Sequence, residues 1–319
     1  MSGRRWQYGP LTDTHRTQME LTTPLDGVFP AMTTPLTDDG SIDFDRLRDH
    51  TRRLVDGGVD GLVPVGTTGE SATLTHDEHV EVVEAVADAA DGDVPVIAGA
   101  GSNSTHEAVG LAGRSVDAGA DALLLISPYY NRPEPEGMVA HYREIADRVD
   151  VPQILYNVPS RTGRTIEVDS AVELASHENV VGYKAASGDV GRVSQIVERT
   201  TDEEFSVLSG DDGLTLPIAS VGGRGAISVT ANVEPERVGD LVHSALDGDY
   251  ETARRRHQEL EPLNRALFAE SNPIPVKAAQ ELRGHGPANY RSPLTQLSEQ
   301  HWDPLREALE ELEERELSV

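Results

Sequence analysis

Cysteine is absent from the 319-residue chain. That excludes disulfide scaffolds, thiolate nucleophiles, zinc ribbons and iron–sulfur clusters. Lysine is almost as rare: only Lys184 and Lys277 occur, so 25 of the 27 basic residues are arginine. Aromatic residues make up 4% of the chain. No apolar run approaches the roughly 20 residues that cross a bilayer, so no membrane partner is expected. The stretch from Met1 to Asp13 is polar and lacks an apolar signal core, which predicts a cytoplasmic protein.

Acidic residues, by contrast, are abundant. Asp plus Glu is 55 against 27 Lys plus Arg, giving a net charge of −28. Such a surface repels polyanions, so nucleic acid is excluded as a partner. Arginine in place of lysine, together with excess Asp and Glu, is the habit of proteins from high-salt cytoplasm, and predicts a halophilic protein. Salt there screens the self-repulsion. A chain this sparing with lysine needs a reason for each one it keeps.

Short apolar runs alternate with longer amphipathic stretches from Gly27 onward. The runs predict strands over 27–33, 61–65, 95–98, 122–126, 153–157, 180–184, 206–209 and 225–228. Helical periodicity lies between them, over 43–56, 75–90, 105–118, 135–149, 168–176, 189–199 and 214–221. Asp43 or Ser41 can cap the first helix, and Thr75 with Glu78 forms a capping-box pattern. Eight strands alternating with helices favour an α/β fold, a closed parallel (β/α)8 TIM barrel. The doubly wound alternative wants a glycine fingerprint after its first strand, and Ala31-Met32-Thr33-Thr34-Pro35 is not one. After Ser228 only helical patterns remain, over 234–246, 250–268, 274–283 and 295–314. The expected organisation is an irregular extension over 1–24, a barrel core over 25–233, and the last barrel helix with a helical C-terminal region over 234–319. The acidic run from Glu307 to Glu316 reads as a solvated helix face.

A barrel carries its chemistry on the loops after the strands. Lys184 closes the apolar run Val180-Val181-Gly182-Tyr183 and is expected to point into the barrel mouth. An amine that loses hydration there is more often unprotonated, as condensation with a ketone carbonyl requires. The alternative is a lysine paired with an acid at the rim. Tyr156 ends the preceding run, one strand away, where a phenol can shuttle protons to a carbinolamine; a core tyrosine satisfied by backbone is the other reading. Thr67 and Thr68 sit in a glycine-flanked turn whose hydroxyls and N–H groups suit a carboxylate. The guanidinium fork of Arg161 suits the same ligand, unless it is spent on a surface ion pair. His76 and His79 share a helix face, but spacing supplies no third ligand, so no metal is expected. No cofactor motif occurs either: no P-loop, nucleophile elbow or HExxH pattern is present.

Several strings together resemble the dihydrodipicolinate synthase (4-hydroxy-tetrahydrodipicolinate synthase) branch of the N-acetylneuraminate lyase superfamily of class I aldolases, from about Gly27 to Leu309. They are the runs Gly66-Thr67-Thr68-Gly69-Glu70-Ser71, Pro128-Tyr129-Tyr130-Asn131-Arg132-Pro133, Tyr156-Asn157-Val158-Pro159-Ser160-Arg161-Thr162-Gly163, Ser209-Gly210-Asp211-Asp212, Ile227-Ser228-Val229-Thr230-Ala231-Asn232 and Asn272-Pro273-Ile274-Pro275-Val276-Lys277, together with Lys184. The resemblance implies a homotetramer, a dimer of dimers, that condenses pyruvate with L-aspartate 4-semialdehyde in lysine and diaminopimelate biosynthesis. It implies that Lys184 forms the imine and that Tyr156, Thr67 and Tyr130 relay protons, Tyr130 in the neighbouring subunit's site. Thr68 and main-chain groups near Gly210 and Ile227 would hold the pyruvate carboxylate, and Arg161 the semialdehyde's. Ser71, Ala72, His76, His79, Asn103, Glu107 and Tyr129 match the positions where lysine-inhibited members bind L-lysine.

One position departs from the pattern. Ala185 stands where the family usually has an acidic residue after the imine lysine, and as a strand neighbour it should face away from substrate. Two other functions compete: a sister aldolase cleaving 2-keto-3-deoxy sugar acids to pyruvate, and a non-catalytic binding barrel.

Overall fold

The computed structural model describes Leu21 and residues 24–316. The expected irregular extension over 1–24 lies almost wholly outside these residues. Seven strands form one sheet: β1 (Gly27–Pro30), β2 (Ile97–Gly99), β3 (Ala122–Ile126), β4 (Gln153–Asn157), β5 (Val180–Ala185), β6 (Ser206–Ser209) and β7 (Gly225–Ser228). Their order is β1-β7-β6-β5-β4-β3-β2, and every pairing is parallel. The strands are apolar runs buried along nearly their whole length, as a parallel sheet covered on both faces requires.

The eighth predicted strand, 61–65, is not a regular strand. It is joined by two isolated parallel bridges, Ala31↔Val63 on one side and Leu62↔Val96 on the other. Backbone hydrogen bonds nevertheless run to both neighbours: Val63 N–H donates to Pro30, and Ile97 N–H donates to Leu62. Pro64 has no N–H to give, and Val65 turns to φ +50°, a costly conformation for a β-branched residue. The ladder therefore stops after two or three residues, and the chain turns early into the Thr67–Thr68 loop.

Between and after the strands run α1 (Phe44–Asp56), α2 (His76–Ala90), α3 (Thr105–Asp117), α4 (Pro135–Arg148), α5 (Pro159–Thr162), α6 (Val168–Ala175), α7 (Val190–Arg199), α8 (Thr215–Ser220), α9 (Pro235–Leu246), α10 (Tyr250–Leu267), α11 (Ile274–Leu282) and α12 (Glu299–Glu316). The predicted caps form: Asp43 accepts from Arg46 N–H, and Thr75 with Glu78 makes the reciprocal capping box. The last helix starts at Glu299, later than the predicted Thr295, and Ser298 N–H just before it donates to Glu270 at 3.0 Å. Helix α5 stands where only a loop was expected. Pro159 opens it, and Gly163, at φ +70°, closes it in the left-handed conformation that an L side chain resists.

Alternate strand residues fill two different cores. One set, with Leu123, Leu125, Leu155, Tyr183 and Ala185, packs against the helices beside Leu47, Val82 and Val86. The other, with Phe29, Val63, Ile97, Leu124, Ile154, Tyr156, Leu208 and Ile227, packs on the opposite face of the sheet. Ala185 thus faces the helices, away from Lys184's side of the strand. A third cluster joins Val229 and Val233 to α10, α11 and α12 through Leu263, Leu267, Val276 and Leu309. No helix among the described residues is long and apolar enough to cross a membrane.

Candidate active site

Lys184 and Tyr156 are register partners on β5 and β4. Because the strands are parallel and in register, both side chains leave the sheet on one face at one height. Lys184 is only 5% exposed. Its Nζ lies 4.3 Å from the centroid of the Tyr156 ring, a cation–π distance. No carboxylate comes within ion-pair distance of Lys184 among the described residues, so the rim-lysine alternative does not hold. A cavity of about 410 Å³ opens over this pair, lined also by Thr67, Thr68, Arg161, Gly210 and Asn272.

The loop ends are positioned by specific contacts. Gly210 N–H donates to Ala185 O at 2.8 Å. A Cβ on Gly210 would come within 2.8 Å of Lys184 Cε, so only glycine lets the β6 loop lie against the lysine. The Thr67–Thr68 loop is held from behind. Thr34 Oγ1 donates to Gly69 O at 2.8 Å, and buried Glu70 accepts from Lys277. Glu70 is itself at φ +56°, which a well-determined surrounding must hold.

Asn272 ties the two sides of the cavity together. Its Nδ2 donates to Thr68 Oγ1 at 2.9 Å, and its main-chain carbonyl accepts from Arg161 Nη2 at 3.1 Å. Arg161 makes no ion pair among the described residues, whereas Arg164, three residues on, pairs with Glu134. The Arg161 fork is therefore open to a ligand. Asp212 clamps the β6 loop to the β7 loop, accepting from the Ser228 hydroxyl and from Val229 N–H at 2.9 Å. Burial pushes its carboxyl up, against those hydrogen bonds.

Two of the expected residues are not in this cavity. Ile227 sits in the buried strand interior in one cluster with Tyr156 and does not line this cavity. Tyr130 is 92% exposed, projecting outward from a backbone at φ +67°. An aromatic residue in that conformation is strained.

A second cavity, of about 440 Å³, adjoins the first and shares Thr67, Tyr156, Arg161 and Asn272 with it. Ser71, Ala72, His76, His79, Glu107 and Tyr129 line it, so six of the seven residues matched to an L-lysine site converge. Asn103 does not line it; its carbonyl accepts from Asn131 Nδ2 at 2.8 Å. His76 Nε2 lies 3.2 Å from Glu107 Oε1. Burial, with the nearby charges of His76 and Arg114, lowers His79 to about 4 against a hydrogen bond to Gly99, so its imidazole is neutral near pH 7. Of the two carboxylates lining this cavity, Glu70 is matched by Lys277, and Glu107 faces His76.

Sequence reasoning gave no role to Asn272, to the α10 residues Glu261, Asn264 and Arg265, or to Phe268 just after α10, all of which line the first cavity. Asn272 stood in a quoted motif, yet nothing local signals that it spans 204 residues to reach Thr68. Among the described residues, no group of three or more His, Asp or Glu could hold a metal.

A model of the dihydrodipicolinate synthetase family matches residues 24–312. The chain belongs to that family, whose members are lyase-type enzymes. It is 65% identical, over 91% of its length and 95% of the relative's, to a 4-hydroxy-tetrahydrodipicolinate synthase of Haloarcula marismortui. Among solved structures it resembles the dihydrodipicolinate synthase of Acinetobacter baumannii complexed with pyruvate, at 41% identity and a TM-score of 0.88 over 90% of this chain and 99% of that one. The lysine-bound enzyme of Cyanidioschyzon merolae is similar at 38% identity and a TM-score of 0.87, over 90% and 97%.

Proposed function

We infer that this chain is a 4-hydroxy-tetrahydrodipicolinate synthase, joining pyruvate to L-aspartate 4-semialdehyde in lysine and diaminopimelate biosynthesis. The observation that carries the reading is a buried amine with no carboxylate partner, set against a phenol in a cavity that also holds Thr68 and Arg161. Lys184 Nζ adds to the keto carbon of pyruvate, and water leaves to give the imine. Loss of a methyl proton gives the enamine, whose carbon attacks the aldehyde carbon while the aldehyde oxygen takes up a proton. The amino group of the joined product then attacks the imine carbon, closing the ring and freeing Lys184. Tyr156 and Thr67 move the protons, with Tyr130 supplied by a second copy of the chain. Thr68, with backbone near Gly210 and Ile227, holds the pyruvate carboxylate, and Arg161 holds the semialdehyde carboxylate bidentately.

The hydrogen bonds on both sides of 61–65 support reading that segment as the eighth strand of a closed (β/α)8 barrel, with the helices from 234 onward as its last helix and a C-terminal region. The outward Tyr130 supports a homotetramer in which the dimer completes each site. The acidic, lysine-poor composition supports a protein of a high-salt cytoplasm. The second cavity supports feedback: L-lysine would set its amino group against Glu107. Saturating L-lysine should lower the initial rate, and an unchanged rate would remove this part of the reading.

Coupled turnover tests the activity. Pyruvate with aspartate semialdehyde should react far faster than pyruvate with glyceraldehyde. The reverse order would assign the chain to the sugar-acid aldolases. No turnover of either, with no borohydride-trapped pyruvate on Lys184, would leave a binding barrel.

A further inference from the structure

A third cavity, of about 420 Å³, shares no lining residue with the other two. It lies between α1 and α11, on a face that the reaction does not use. Helix α1 presents Arg46, Asp49, His50 and Arg53 to it, at the spacings of three and four that place residues on one helix face. Opposite stand Gln280 on α11 and the turn Gly284-His285-Gly286. That turn runs close against Arg46: a Cβ on Gly286 would lie 3.0 Å from Arg46 Cδ.

The lining is positive in a chain that carries −28 overall. Arg46, Arg53 and Lys277 face a single carboxylate, Asp49. Lys277 is already matched by Glu70, Asp49 lies 3.3 Å from Arg52, and Arg46 reaches Asp43 only at 3.4 Å. Arg53 has no carboxylate within ion-pair distance among the described residues. Its Nη2 is spent on Asn232 O at 2.6 Å and His50 Nδ1 at 2.9 Å, while its Nε and Nη1 donate to no protein group described. Glu234 and Glu236 act on it only at longer range, and burial works against its charge.

The two histidines do not cancel this charge; they yield to it. His50 is buried, gripped by Asn232 Oδ1 at 3.0 Å, and burial with the charges of Arg53 and His285 lowers it to about 3. Partial burial, with Arg53 and Arg283, lowers His285 to about 4. Both are therefore neutral near pH 7; the one N–H of His50 is given to Asn232 Oδ1, and the neutral ring of His285 keeps one N–H. The result is a concave site with a half-buried guanidinium whose free edge is unmatched, a second arginine at the mouth, and the neutral His285 beside them.

We propose that this cavity binds a small oxyanion, a phosphate or a carboxylate, between the guanidinium groups of Arg53 and Arg46, with His285 and the glycine turn closing over it. A guanidinium fork fits two oxygens of such an anion, which a halide cannot offer. The site stands apart from Lys184 and does not depend on the activity assigned above.

Equilibrium dialysis of the full-length protein with radiolabelled inorganic phosphate, in potassium chloride, tests the proposal. About one phosphate should bind per chain despite the chloride. Arg46→Gln and His285→Ala, both at exposed positions, should each weaken binding by about tenfold. Arg53→Gln should abolish it, although this variant also gives up the contact with Asn232 and must be checked for folding. Arg161→Gln, which alters the other cavity, should leave it unchanged. Displacement by succinate would assign the site to carboxylates, and binding that resists succinate would assign it to phosphate. The proposal fails if phosphate does not bind, if chloride alone displaces it, or if Arg161→Gln rather than Arg46→Gln removes it.

Discussion

The only two lysines of the chain sit in two regions that look alike by burial and differ in everything else. Lys184 is 5% exposed and Lys277 is 4% exposed. Around Lys277, Glu70 accepts the ammonium proton, Asn289 O accepts another at 2.7 Å, and the Tyr290 ring centroid lies 5.4 Å away. Around Lys184 there is a phenol, a glycine loop and an open cavity, but no acid within ion-pair distance among the described residues. Desolvation alone therefore does not make a reactive amine. The lysine given a carboxylate holds two loops together, and the one denied a carboxylate is left for a ligand.

Four measurements break or sharpen that contrast. Lys184→Arg keeps the charge but cannot form an imine, so kcat should fall by about a thousandfold or more, with no borohydride-trapped pyruvate and a normal unfolding curve. Lys277→Met should do the opposite. It leaves Glu70 buried without a counter-charge, which costs about 3–5 kcal/mol in denaturant unfolding, while trapping on Lys184 survives whatever remains folded. Pairing it with Glu70→Leu should restore much of the loss. A Lys277→Met protein of normal stability would erase the distinction between the two regions.

The third measurement stays in the Lys184 region. Tyr156→Phe keeps the ring under the amine and removes the proton carrier. It should lower kcat about a hundredfold, and an unchanged rate would show that the ring alone serves Lys184. The last measurement concerns neither lysine. His50, His79 and His141 are buried and lowered to about 3, 4 and 4, in each case first by burial. An unfolded histidine takes up its proton near pH 6.5, before these folded ones do. Stability is thus complete above that pH and declines as pH falls toward 4, by at most about 1.4 kcal/mol per histidine per pH unit. Unfolding midpoints followed downward from pH 7 check this, and a flat profile would contradict it.

Much of this was legible in the amino acids because it depends on local pattern. Apolar runs placed seven of eight strands, and the Tyr156–Lys184 neighbourhood followed from strand order alone. The run 61–65 pairs with both neighbours but does not form a regular strand, for a reason visible only in detail: Pro64 removes a donor and Val65 leaves the extended region. The rest was hidden because it is non-local. The Thr68–Asn272 contact, the Glu70–Lys277 pair and the Arg53–Asn232 contact each join residues far apart in the chain, and no periodicity reports such encounters. Scarcity of lysine marked both residues as special without saying which was reactive.

On the roles proposed for Thr68 and Arg161, Asn272 touches the keto-acid wall with its side-chain amide and the aldehyde wall with its main-chain carbonyl. The two substrates therefore do not have separately tunable pockets. A redesign that reshapes the Arg161 side to accept a different aldehyde pulls on the same asparagine that sets the Thr68 hydroxyl, so altered selectivity and weaker pyruvate capture should arrive together. Relaxing that linkage calls for a change on the short backbone segment bearing Asn272 before any change to the arginine.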